Sequence, residues 1–183
     1  MTAVIQRGSI HLTALALLLL AIGRPAGAEP GNDNRAPDVG EYTKLRVDAG
    51  YKVAFRAYAE GVQIYWWNGT KWEFVEPEAV LYSGDDEDAE VVGSHSRGPT
   101  WVSPSGSTVV GTALERATPD PTAIPWLKLG AVSSEGPGIF DGIKFIQRVY
   151  TVGGVPPADP GELVGEVVKV PYSAWYYFYR EQR

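Results

Sequence analysis

The sequence predicts an all-β, single-domain protein, an antiparallel β-sandwich or barrel of roughly ten short strands. Three observations carry this expectation. From residue 43 onward apolar residues recur with a period of two rather than 3.6. Gly, Pro, Asn and Asp interrupt that pattern about every 8–12 residues, as turns between short strands do. Beyond the N-terminal region no stretch supports a helix longer than a turn or two, and no internal repeat points to a propeller or solenoid.

Residues 1–28 read as a secretory signal. Arg7 precedes an apolar run from Leu12 to Ile22, too short to cross a bilayer as a stable helix. Gly23, Pro25 and the small-x-small Ala26-Gly27-Ala28 follow it, the pattern a signal peptidase accepts. Cleavage there leaves 183 − 28 = 155 residues and predicts a secreted or periplasmic protein with no transmembrane segment in the mature chain. Residues 29–40 are rich in Pro, Gly and Asn and read as a flexible leader. Residues 41–183 form the domain.

Within it, residues 43–48 alternate and Ala49-Gly50 turn the chain into a strand over 51–58, rich in β-formers. Gly61 restarts a strand over 62–67. Asn68-Gly69 supplies a two-residue type I′ turn from which 71–75 returns. A short strand at 79–82 precedes the acidic stretch 84–90, and Val91-Val92 leads into a loop that ends at Trp101. Residues 103–107 turn between 101–102 and 108–114. The segment 123–132 pairs with 143–152 across a Gly/Pro-rich connection, and strands at 167–170 and 174–179 complete the set.

Composition excludes several functions. Arg7 and Arg24 fall in the signal, so the mature chain carries 16 − 2 = 14 basic residues against 22 acidic ones, a net charge of −8. That sign repels phosphate backbones, so nucleic acid is not an expected partner. With no cysteine there is neither disulfide nor thiolate zinc site. Only His95 remains after the signal, which rules out a two-histidine metal site within one chain. No nucleotide-binding glycine loop follows a strand and no GxSxG elbow occurs, so no cofactor and no catalytic residue is assigned. The acids Asp85 to Asp88 are contiguous, whereas a calcium loop needs alternating ligands, and they read as a solvated hairpin tip.

Six blocks are distinctive in order and spacing: Gly61-Val-Gln-Ile-Tyr65, Trp72-Glu-Phe-Val-Glu-Pro-Glu-Ala79, Gly98-Pro-Thr-Trp101, Ala123-Ile-Pro-Trp-Leu127, Phe145-Ile-Gln-Arg-Val149 with Thr151-Val-Gly-Gly154, and Val170-Pro-Tyr-Ser-Ala174 with Tyr176-Tyr-Phe-Tyr179. Together they resemble the DUF3455 family of exported bacterial and fungal proteins of unknown function. The resemblance runs from about Leu45 to Tyr179 and implies no established activity. It does imply departures. Relatives typically carry a cysteine where Trp67 stands and a second near Gly161, which the resemblance suggests form a disulfide. An indole at Trp67 over the side-chain-free Gly161 would fill that space. Acids expected from the resemblance at two further places are Ser105 and Trp175 here.

Three features bear on function. His95 lies just before Arg97-Gly-Pro-Thr-Trp101, either as a polar site residue or as a structural histidine in a tight loop. On a two-residue period Phe145, Gln147 and Val149 share one face of their strand, and Ile146, Arg148 and Tyr150 the other. Gln147 or Arg148 is thus either a buried hydrogen-bond hub or a ligand contact. Trp66-Trp67 and Trp175-Tyr-Tyr-Phe-Tyr179 place large aromatics on both faces of their strands, implying either an exposed binding surface or a fold with both faces covered. The expected function is a small-molecule or carbohydrate binding module, or a surface-structural one, with self-association as a further possibility. His95, Trp101, Trp126 and Arg148 are the candidate ligand-binding residues of one pocket. The alternative is a hydrolase-like enzyme using His95 with Glu76 or Glu78.

Overall fold

The computed structural model describes residues 34–182, so the signal and the first part of the leader, residues 29–33, lie outside the described residues. Eight antiparallel strands follow one another around a single closed sheet: β1 (Tyr51–Trp67), β2 (Trp72–Tyr82), β3 (Val91–Ser96), β4 (Thr100–Val102), β5 (Thr108–Ala117), β6 (Trp126–Glu135), β7 (Ile143–Gly153) and β8 (Val167–Glu181). Each strand pairs with its sequence neighbour, and β8 pairs with β1 to close the barrel. The barrel alternative therefore stands over the sandwich, with eight strands rather than ten.

The count falls because residues read as breaks lie inside strands. Gly61 is mid-β1 between Ala79 and Tyr172, and a Cβ there would meet the Glu78 carbonyl oxygen at 2.1 Å. It is a close-approach glycine, not a turn. Pro77 and Pro171 likewise sit within β2 and β8, flanking Gln63 and Val62 of β1. Residues 43–45, expected to begin a strand, form a single 3₁₀ turn. The β1–β2 hairpin closes one residue later than expected. The Asn68 N–H donates to the Lys71 carbonyl, and the Asn68 Oδ1 accepts from the N–H groups of Thr70 and Lys71, each at 2.9 Å. Of its central residues Gly69 alone has positive φ (+92°), which excludes type I′.

Alternation sorts the side chains into two cores. Inside the barrel, small Ala57, Ala59, Ala79 and Ala174 leave room for Trp101, Tyr176 and Phe178. One end is plugged by Phe140, fully buried against Phe55 and Phe178 at ring separations of 5.6 and 5.1 Å. A serine network fixes that plug. Ser107 Oγ accepts the Phe140 N–H and bonds Ser103 Oγ at 2.7 Å, while Ser134 Oγ donates to the Phe140 carbonyl at 2.6 Å.

The second core lies outside, where the N-terminal segment covers β7 and β8. Val39, which the sequence assigns to the leader, and Leu45 are buried against Val149, Tyr177 and Tyr179. Gln147 is the hub here. It is 1% exposed, donates to the Leu45 carbonyl at 2.6 Å and accepts from the Tyr179 hydroxyl. Much of the aromatic load is thus used inside: Tyr176 and Phe178 face the barrel, and Tyr177 and Tyr179 face the N-terminal segment. No helix among the described residues is long and apolar enough to cross a membrane.

Candidate functional site

The end of the barrel opposite Phe140 holds a cavity of about 360 Å³. Inward positions of five strands converge on it: Gln63 and Tyr65 from β1, His95 from β3, Trp101 from β4, Arg148 from β7 and Tyr176 from β8. His95 is not on a loop as the sequence suggests. It is the direct cross-strand partner of Trp101 in the β3–β4 hairpin, which turns through Gly98 at φ +84°. Their rings stack at 4.4 Å and 5°, and Tyr176 meets both edge-on at 5.3 and 5.5 Å. Gly111 on the adjacent strand β5 makes space for the indole, since a Cβ there would lie 3.1 Å from it.

The hydrogen bonds fix the chemistry of the histidine. Nδ1 lies 3.0 Å from the Thr100 carbonyl, which can only accept, so Nδ1 carries the proton and Nε2 presents a lone pair. Burial of the ring, aided by the nearby Arg148 charge and opposed by the Thr100 bond, lowers its pKa to about 3. His95 is therefore a neutral acceptor across the physiological range.

Arg148 supplies the charge. Its Nε and Nη2 both donate to the Pro125 carbonyl, at 3.1 and 2.9 Å. Of the five N–H donors of a guanidinium this leaves three, two on Nη1 and one on Nη2. None of the ion pairs among the described residues involves it. Burial raises the pKa values of Tyr65 and Tyr176, and the Arg148 charge acts on both in the opposite direction. At the rim Arg97 is paired with Glu76 at 3.0 Å and Arg116 is exposed. Three arginines against one glutamate line this cavity, in a chain whose net charge is −6.

Several buried polar atoms around the cavity have no hydrogen-bond partner: Gln63 Nε2, Trp101 Nε1 and the Tyr176 hydroxyl, with the Tyr172 hydroxyl behind them. Tyr172 lies close to Tyr176 and Gln63, but no hydrogen bond between them is completed. Each such orphan costs about 1–3 kcal/mol unless something meets it. Clustering of orphans is what a ligand-binding or catalytic site shows, and a fold evolved for packing alone avoids it.

Of the four candidate residues, His95, Trp101 and Arg148 line this cavity and Trp126 does not. Trp126 starts β6 with its ring on the outer face, edge-on to Tyr42 at 6.1 Å and Tyr150 at 5.2 Å. Its neighbours Pro125 and Leu127 take the inward positions. Gln63, Tyr65 and Tyr176 are lining residues that the sequence reading did not select. Their signal was a polar Gln63 in phase with Tyr65, and Tyr176 two residues from Phe178 in the aromatic run. Glu76 reaches the rim but pairs with Arg97, and Glu78 pairs with Lys169 at 2.7 Å. Neither carboxylate orients the His95 ring, so the hydrolase alternative lacks its acid–base pair. Residues 84–90 are a largely exposed turn, and no group of three or more potential metal ligands assembles among the described residues.

These features define a class: a one-domain antiparallel barrel, sealed at one end by packing and hollow at the other around orphaned donors and an uncompensated guanidinium. The chain belongs to the DUF3455 family, described as a protein of unknown function, whose model matches residues 48–180, nearly all of the barrel. No curated protein and no solved structure matches it.

Proposed function

We propose that the protein is an exported small-molecule-binding barrel, whose ligand, neutral or anionic, occupies the cavity lined by His95, Trp101 and Arg148. The observation that carries this is the set of unpartnered polar atoms on Gln63, Trp101 and Tyr176, each on a side chain at most 2% exposed and bordering one apolar-walled space. A cavity of about 360 Å³ lies within the range of about 300–1,000 Å³ for ligand sites. Sugar stacking on Trp101 gains no support, because His95 already covers that indole's face. The test is an array of glycans, lipids and small organic molecules read by thermal shift on the chain from Glu29. At least one hit is expected, and it is expected to vanish in Leu127→Trp, which fills the cavity mouth. Hits that Leu127→Trp binds like the parent place the ligand elsewhere and overturn the proposal.

A further inference from the structure

The lining groups are unequally divided between donors and acceptors, and that imbalance constrains the ligand's chemistry. Arg148 offers three N–H groups not taken by the Pro125 carbonyl, close to the Tyr176 hydroxyl, Trp101 an indole N–H and Gln63 an amide NH₂. Against these the His95 Nε2 lone pair is an acceptor, and the Tyr176 hydroxyl serves either way. A ligand that satisfies this set is rich in acceptors.

Charge gives the second constraint. A guanidinium withdrawn into the barrel wall, with no carboxylate beside it, meets an anion on its open side at a large gain over a neutral acceptor. The Pro125 carbonyl takes the Nε–Nη2 edge, so the Nη1–Nη2 edge is the fork that remains, and it matches the two oxygens of a carboxylate. The charge available is small. Arg97 is neutralised by Glu76, and Arg116 is an exposed rim residue, so one inner guanidinium faces the bound molecule. That suits a single negative charge rather than the two of a phosphate monoester.

The walls give the third constraint. Ile124, Leu127, Leu129 and the ring of Tyr65 enclose the rest of the space, and they reward an apolar body. We infer that the ligand is an amphiphilic monocarboxylate, its carboxylate on the Nη1–Nη2 edge of Arg148 and its apolar part against Leu127, Leu129 and Tyr65. This inference rests on the binding reading above and specifies its ligand class.

Benzoate, benzamide and phenylphosphonate are the probes, titrated into the ¹⁵N-labelled chain from Glu29 by NMR. The Trp101 indole N–H, identified by its loss in Trp101→Phe, is the reporter. Benzoate is expected to shift that resonance and to bind at least about tenfold more tightly than the nearly isosteric benzamide, the range for hydrogen bonds to a charged group. Phenylphosphonate is expected to bind less tightly than benzoate. Arg148→Lys, which keeps the charge and loses the fork, is expected to weaken benzoate about tenfold and leave benzamide unchanged. Because removing the Pro125 partner risks unfolding, the benzoate–benzamide comparison on the parent chain decides alone if the variant fails to fold. Equal binding of benzoate and benzamide overturns the carboxylate assignment and leaves the cavity a binding site. Tighter binding of phenylphosphonate overturns it in favour of a dianion. No shift of Trp101 with any of the three, at concentrations up to their solubility, overturns this inference, and the array above then separately decides the broader proposal.

Discussion

Trp67 and Gly161 are the pair whose energetics the structure states most sharply. Trp67 ends β1, half-buried beside Trp72 at a ring separation of 5.4 Å. Its backbone holds the 157–166 loop by two bonds of 2.8 Å, N–H to the Glu166 carbonyl and carbonyl to the Gly165 N–H. Gly161 lies against the indole root, where a Cβ would stand 2.6 Å from Trp67 Cγ and 2.8 Å from Trp67 Cβ. Those atoms are the stiff end of the side chain, so Gly161→Ala must displace the loop, at about 1–3 kcal/mol for overpacking. Trp67→Ala forfeits about half of the roughly 200 Å² that a buried Trp removes from water. At about 25 cal/mol per Å² that is about 2.5 kcal/mol, less than for a fully buried indole. The double variant loses the contact with Cγ but keeps the one at 2.8 Å with the Cβ of residue 67, so it is expected to fall below Trp67→Ala alone yet lose less than the sum of the two, with a coupling of about 0.5–1.5 kcal/mol. Urea denaturation of the four proteins at 25 °C measures the cycle, and Tm is expected to fall by about 2–4 °C per kcal/mol for a chain of this size. A Gly161→Ala loss below about 0.5 kcal/mol, or strict additivity, would refute the packing argument.

Other outcomes follow from features already described. His95 has a folded pKa below its unfolded value of about 6.5, so its neutral form stabilises the fold above that pH. Relative to His95→Gln, the parent is expected to lose about 1.4 kcal/mol per pH unit as pH falls from 6.5 towards 3, and an NMR titration placing His95 near 6.5 would contradict this. Gln147→Leu removes the bonds to the Leu45 carbonyl and from the Tyr179 hydroxyl, and a loss of about 2–4 kcal/mol is expected in urea melts. A loss near zero would mean that water substitutes there. Export predicts a mature N-terminus at Glu29, and mass spectrometry of the exported protein finding Met1 would exclude it.

The fold class was legible because alternation is a local signal. Tyr176 and Phe178 alternate with Tyr177 and Tyr179 in the chain as they do across the barrel wall. Strand ends were not legible at Gly61, Pro77 and Pro171. Each is a breaker by local propensity, and each is held in its strand by neighbours distant in sequence. The same limit applied to the site. His95 and Trp101 were found because they are rare and close in sequence. Which of Trp126 and Leu127 points inward depends on the phase of β6 against β7, where Leu127 pairs with Arg148, and no feature of the segment itself sets that phase. The cover over Gln147 was hidden too, since it comes from Leu45, about a hundred residues away.

The seam between β1 and β8 has a kinetic consequence. It runs from Tyr51 opposite Glu181 to Trp66 opposite Val167, joining the first strand to the last. Such a pairing has high contact order, and barrels dominated by distant pairings fold in milliseconds to seconds. Until β8 arrives, β1 and β7 each present an open edge able to recruit another chain. For a chain exported as proposed, the barrel cannot lock until its C-terminal segment is available. The polypeptide therefore stays threadable through a narrow channel to the end, and is most vulnerable to aggregation in the interval just before closure.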